Sequence, residues 1–407
     1  MISKMRIASA VSAGALLLSS FASTAFATTT STSLEISDNG SFSESAIISK
    51  TEKDDTVVQD SNARISNTLD ASANSGGNTA SFNTNGGTSI DTGNATTLVD
   101  VENKTGLNVA NVEGCCVGNQ TAQISDNGAY ADSFIKLKND TDTNVFQSSN
   151  AWIDNNLWAD SNTGGNATKF NTGGNNDIST GNATTGVFAT NLANANIAKV
   201  GSGYKLGGAG SVQARILDNG AFSDSTIKVL NDQDTTVVQD SNAWFSNFVW
   251  AKSNTGYNKA KYNTGGSNSI WTGNAHTLVD LVNKANFNWV STDCGCVTNL
   301  SAKVAGNGSF SDSAIFAVLD NERQIFQGAE GSLADFFNWV DSDASSGWNK
   351  ASSNTGSSHS DPEISTGHAR SEQVVSNKAN VNIVGRLAAL PHFSFGFDLS
   401  PLISFLH

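Results

Sequence analysis

Between residues 63 and 71 the chain sets Ala63, Ile65, Asn67, Leu69 and Ala71 at every second position. The series returns as Ala151, Ile153, Asn155, Leu157, Ala159 and as Ala243, Phe245, Asn247, Val249, Ala251. A period of two marks a strand with one face turned inward, because successive strand side chains point to opposite sides. A second alternating run, Ala95, Thr97, Val99, Val101, Asn103, matches Ala183, Thr185, Val187, Ala189, Asn191 and Ala275, Thr277, Val279, Leu281, Asn283. Clusters such as Asn162-Thr163-Gly164-Gly165-Asn166 part the runs, and Asn and Gly tolerate the positive φ of tight turns. The pattern predicts short strands separated by Gly/Asn turns. In the fourth copy Ser332 to Val340 also admits a helix, although the other copies alternate better there.

These runs belong to one repeated unit. Asp38-Asn39-Gly40 recurs as Asp126-Asn127-Gly128 and Asp218-Asn219-Gly220, and in degraded form as Gly306-Asn307-Gly308. A glutamine follows each final glycine by 19 residues, at Gln59, Gln147, Gln239 and Gln327. Thr-Gly-Asn then follows the first three glutamines by 33 residues, starting at Thr92, Thr180 and Thr272. Four repeats of about 90 residues therefore span 35–112, 124–200, 216–290 and 304–384, with connectors at 113–123, 201–215 and 291–303 and a six-residue insertion in the fourth copy. Self-similarity at a fixed period implies stacked or strung copies of one supersecondary unit. No proline precedes Pro362, which suits backbone amides committed to strand ladders.

The expected class is all-β, with two architectures open. In a β-solenoid each repeat supplies several coils, and the inward Asn67, Asn155 and Asn247 form side-chain amide ladders, since a buried amide must find partners. In the alternative each repeat is a separate β-sandwich. The inner faces are poor in large side chains for four independent cores, which favours the solenoid.

The chain ends carry different information. Lys4 and Arg6, an apolar run from Ile7 to Leu18, and Ala25-Phe26-Ala27 read as a secretory signal peptide, residues 1–27. Its apolar stretch is short of a membrane span, so no transmembrane segment is expected in the mature chain. Removing Lys4 and Arg6 takes the net charge from −14 to −14 − 2 = −16. An acidic chain without a basic stripe is a poor ligand for nucleic acid. At the other end, residues 385–407 contain an apolar alternation, Phe393, Phe395, Phe397, Leu399, expected to cap the last repeat or to dock on a neighbour.

Four groups of residues are candidates for chemistry or contact. Cys115, Cys116, Cys294 and Cys296 lie in equivalent connectors, and an even count in an exported chain favours disulfides within a connector, between connectors or between molecules. A four-thiolate metal site is the remaining option, although C-x₂-C spacing is absent. Trp152, Trp158, Trp244 and Trp250 fall on the outward parity, with Arg64, Asp70, Ser332 and Asn338 in the corresponding slots of the outer copies; they suit a glycan or a protein partner unless another part of the protein covers them. Asp140, Asp142 and Asn144 begin like a calcium loop, echoed by Asp232 and Asp234, but lack its glycine and distal glutamate, so a polar turn is expected. No cofactor is otherwise implied. No G-x-S-x-G, H-E-x-x-H, phosphate loop or G-x-G-x-x-G occurs, and the histidines other than His276 lie at or beyond His359.

The Asn-Thr-Gly-Gly and Thr-Gly-Asn-Ala clusters resemble those of Asn/Thr/Gly-rich repeat proteins exported by bacteria. The resemblance covers all four repeats and implies an extracellular structural or adhesive role. The expected protein is secreted, non-enzymatic and located at the cell surface or in the extracellular matrix, with an adhesive or self-assembly role. Its partners are its own copies, other surface proteins or glycans. The competing readings are a carbohydrate-binding array using the outward tryptophans and a polysaccharide-active enzyme using clustered carboxylates.

Overall fold

The computed structural model describes residues 11–16, 32–112, 119–201, 211–292, 299–328, 331–356 and 362–385. All regular structure among them is strand. β1 (Val11–Leu16) precedes the repeats. Repeat 1 supplies β2 (Thr32–Ser37), β3 (Glu44–Asn74), β4 (Thr79–Ser81), β5 (Thr88–Asp91) and β6 (Ala95–Val112); repeat 2 supplies β7 (Gln120–Ser125), β8 (Asp132–Asn162), β9 (Ala167–Lys169), β10 (Asn176–Ser179) and β11 (Ala183–Val200). Repeat 3 follows with β12 (Ser211–Leu217), β13 (Asp224–Asn254), β14 (Lys259–Lys261), β15 (Asn268–Trp271) and β16 (Ala275–Thr292). Repeat 4 has β17 (Asn299–Ala305), β18 (Asp312–Leu319), β19 (Glu322–Gln327), β20 (Ala334–Ser345), β21 (Lys350–Ser352), β22 (Glu363–Ser365) and β23 (Ala369–Val384).

Each repeat contributes to each of five sheets, with one strand apiece except that repeat 4 gives β18, β19 and β20 to the long sheet. The repeats neighbour one another there in chain order: β3-β8-β13-β18, β6-β11-β16-β23 and so on, with β1 added beside β6. All of these pairings are parallel. Like residues pair across the repeats, so Gln59 stands beside Gln147, and Gln147 beside Gln239. Two expectations are corrected. Each repeat passes through every sheet once and not several times, and its longest strand is not short: β3, β8 and β13 each run 31 residues, roughly 100 Å at the ~3.3 Å rise of a parallel strand. Ser332 to Val340 contributes to strand β20 and to the loop before it, not to a helix.

The long sheet faces the sheets of β6 and β2 across a thin core. Apolar clusters alternate along it with polar ladders. Ile135 and Leu137 meet Ile124 and Ala122 in one cluster, and Leu157 and Ala159 meet Val99, Val187 and Ala189 in another. Between such clusters, Asn67, Asn155, Asn247 and Asn338 form the expected amide ladder, with Nδ2-to-Oδ1 bonds of 2.8, 2.7 and 2.7 Å. A second ladder on the facing sheet, Asn103, Asn191, Asn283 and Asn377, repeats the geometry at 2.7 Å per step and is cross-bonded to the first. Gln147 and Gln239 extend a third ladder by donating to Gln59 and Gln147. The amides of these three ladders are thereby satisfied largely by copies of themselves, which spares that part of the polar interior the cost of unpaired groups.

The turns obey the same stacking. The asparagine of each Asp-Asn-Gly motif donates to the serine six residues on, Asn39 to Ser45 at 2.8 Å and Asn219 to Ser225 at 3.1 Å, tying the turn to the start of the long strand. At the Thr-Gly-Gly turn, backbones of consecutive repeats approach so closely that a Cβ on Gly164 would lie 2.0 Å from the carbonyl oxygen of Gly256. Phe42, Tyr130, Phe222 and Phe310 sit at φ of 57–63°, a left-handed conformation costly for such residues. Their rings stack at 4.9, 5.0 and 5.1 Å, nearly parallel, and this contact offsets the strain.

Candidate binding surface

The outward parity of the long sheet builds the site. Trp152 pairs with Trp244 and Trp158 with Trp250 in the register of β8 and β13, so the sheet itself brings the four sequence-predicted tryptophans together in two columns. Trp152 and Trp244 stack at 5.2 Å with their planes 13° apart, and the Arg64 guanidinium lies over Trp152 at 5.5 Å. Trp158 and Trp250 are 5.0 Å apart but tilted by 41°. Trp158 is held by its indole N–H, which donates to Asn156 Oδ1 at 2.6 Å.

Three further rings join this face that sequence reasoning missed. Phe248 lies between the two tryptophan columns and contacts Phe337 and Trp339 of repeat 4 at 5.3 and 6.3 Å. All seven rings are 39–49% exposed. Phe248 carried a signal, since it shares the parity of Trp244. Phe337 and Trp339 were hidden by the position of the insertion. The offset to repeat 3 is 88 residues at Gln327, 91 at Asn338 and 94 at Asn377, so the six extra residues enter as two groups of three. Ser332 and Asn338 therefore do not fill the tryptophan slots. Asp335 and Asp341 do, and Asn338 belongs to the inward ladder.

Shallow grooves run beside the rings. One is lined by Arg64, Asn150, Trp152, Asn242, Trp244 and Leu333, another by Asp70, Trp158, Asp160, Trp250, Lys252 and Asn254. Burial raises the Asp160 carboxyl above the usual range, with Lys252 opposing the shift. The surface thus offers flat apolar area with amide, carboxylate and cationic groups at its edge.

The remaining predicted sites fall elsewhere. Asp140, Asp142 and Asn144 lie within strand β8, which corrects the polar turn expected there. Alternation puts the three on one face about 6.6 Å apart along the strand, where a calcium loop would wrap its ligands around an ion. Asp142 stands in a column with Asp54, Asp234 and Glu322. Burial first, then Asp140, raises the Asp142 carboxyl, and burial with Asp232 does the same for Asp234. Among the described residues no group of three or more His, Cys, Asp or Glu side chains is placed to hold a metal ion, and no helix is long and apolar enough to cross a membrane. Cys115, Cys116, Cys294, Cys296, Phe393, Phe395, Phe397 and Leu399 lie outside the described residues. Comparison with protein-family models, with curated proteins and with solved structures finds no match to this chain.

Proposed function

We propose that the chain is a four-coil β-solenoid that acts as a non-enzymatic structural and adhesive protein of the cell exterior, meeting its partner through the aromatic face. The pairing of consecutive repeats in every sheet supports the solenoid over four strung sandwiches, whose sheets would close within a repeat. One observation carries the adhesive reading: seven aromatic side chains from three repeats stand exposed together on one face of a continuous sheet. Contiguous apolar surface of this kind is uncommon on a protein that works alone.

A glycan partner is the second reading, favoured by the Asn, Asp and Lys groups that edge the grooves. In the Trp152 column one ring face is spent on Trp244 and the other is shared with Arg64, so sugar rings would find their stacking surfaces on the tilted Trp250 and Trp339.

Adsorption to cell-envelope fragments, untreated and periodate-oxidised, tests both. The variant Trp158→Ala/Trp250→Ala/Trp339→Ala should lose roughly tenfold or more in retention while keeping its β-sheet circular dichroism. Retention that survives oxidation favours a non-glycan adhesive partner, and retention lost with oxidation favours glycan. Unchanged adsorption of the triple variant overturns the platform.

A further inference from the structure

We infer that the two ends of the molecule are a matched pair of docking surfaces, and that a second copy of this chain adds its repeat 1 onto repeat 4 in the register that already joins consecutive repeats. The inference deepens the structural reading above and does not depend on the aromatic face.

Glycines that no neighbour among the described residues demands point to it. Gly76, Gly164 and Gly256 each leave no room for a Cβ because the backbone of the next repeat is there, at Gly164, Gly256 and Gly347 respectively. Gly347 fills the same slot at the open end, where a Cβ would meet nothing within 4 Å. At the opposite end, a Cβ on Gly128, Gly220 or Gly308 would strike the preceding repeat, yet Gly40 in that slot meets nothing. Gly93 stands likewise to Gly181, Gly273 and Gly367. None of the three open-end glycines has a positive φ, so neither backbone conformation nor any neighbour among the described residues demands glycine there. A stacked copy supplies the missing neighbour, Gly76 over Gly347.

Other features of the two ends agree. Strand edges bond only on one side, and a row of unpaired N–H and C=O groups along a strand as long as β3 is a template for another strand. The asparagine ladder has a direction, each Nδ2 donating toward repeat 4, so Asn338 of one copy is aimed at Asn67 Oδ1 of the next. Phe42 and Phe310 end the aromatic stack, 78% and 83% exposed, each with a ring face open. Charge across the junction is mixed: Arg64 would face Asp335, Asp55 would face Arg323 and Glu35 would face Lys303, whereas Glu44 would face Asp312 and Asp54 would face Glu322. Asp70 would likewise face Asp341.

β1 lies on the open edge of β6 from Val99 to Lys104, where an incoming β23 would pair. The full chain and the chain lacking residues 1–27 are therefore compared by sedimentation and electron microscopy over rising concentration. The expected result is end-to-end filaments with a ~4.8 Å repeat along their axis, formed more readily without residues 1–27. Gly347→Ala should melt like the parent and raise the concentration needed for filaments roughly tenfold or more. Glu35→Lys should raise it roughly two- to fivefold at low salt, with Lys303→Glu added to it restoring assembly. Monomers at every concentration for both parent chains, or Gly347→Ala and Glu35→Lys variants that both assemble like the parent, would overturn the inference. Loss of envelope adsorption by the aromatic variant with filaments retained separates failure of one reading from failure of the other.

Discussion

Asn155 and Asn247 lie 92 residues apart in the chain and are joined by an amide hydrogen bond of 2.7 Å. Asn155 also donates to Asn191 and accepts from Asn67 and Asn103, so one buried side chain ties together three repeats and both layers of the core. An interior held in this way depends on register. A slip by one residue would turn every inward amide to solvent and bring outward charges inside.

The ladder predicts unequal costs for equal substitutions. Asn155→Ala removes a side chain with four amide partners and should cost ~2–4 kcal/mol. Asn338→Ala, at the open end of the same ladder, should cost less than half as much. Urea unfolding of both variants checks the ratio, and equal losses would show that the amides do not act as a continuous column.

The left-handed aromatic residues at the turns yield a second test. In Phe222→Ala the φ of 57° remains while the stacking with Tyr130 and Phe310 is lost. Phe222→Gly loses the same contacts but accommodates that φ without strain. The alanine variant should therefore be the less stable of the two by about 1 kcal/mol. The order of their melting temperatures decides the matter, and a more stable alanine variant would show that the left-handed φ carries no strain for a side chain there.

Stability should also depend on pH through the acidic columns. Asp142 and Asp234 have carboxyl groups raised above their ordinary values by burial and by neighbouring aspartates. The folded state then holds their protons more tightly than the unfolded chain, so the stabilisation from protonation is present at acid pH and is lost as pH rises through the raised values. The melting temperature should rise as pH falls from neutrality toward that window. Asp142→Asn/Asp234→Asn should gain roughly 0.2–1 kcal/mol per removed repulsion at pH 7 and flatten the profile. A variant with the parent's pH profile would show the columns to be fully screened by solvent.

The sequence by itself determined a good deal. The period of two fixed which side chains face inward from Ala63 to Ala71 and from Ala95 to Asn103, and the recurrence of Asn67 at Asn155 and Asn247 foretold an amide ladder, because a buried amide repeated in register has its own copies as partners. The outward parity of Trp152, Trp158, Trp244 and Trp250 was legible for the same local reason. Only the tertiary structure decided that β3, β8 and β13 run unbroken through the charged stretch that reads as a turn, since their hydrogen bonds come from residues 88 or 92 positions away and leave no local mark. It also decided where the insertion of repeat 4 falls, and with it that Phe337 and Trp339 complete the aromatic face. The three residues added between Gln327 and Ala334 and the three added between Thr355 and Glu363 leave β20, β22 and β23 in register with repeat 3, because a slip would forfeit the ladder that pairs each inward residue with its copy.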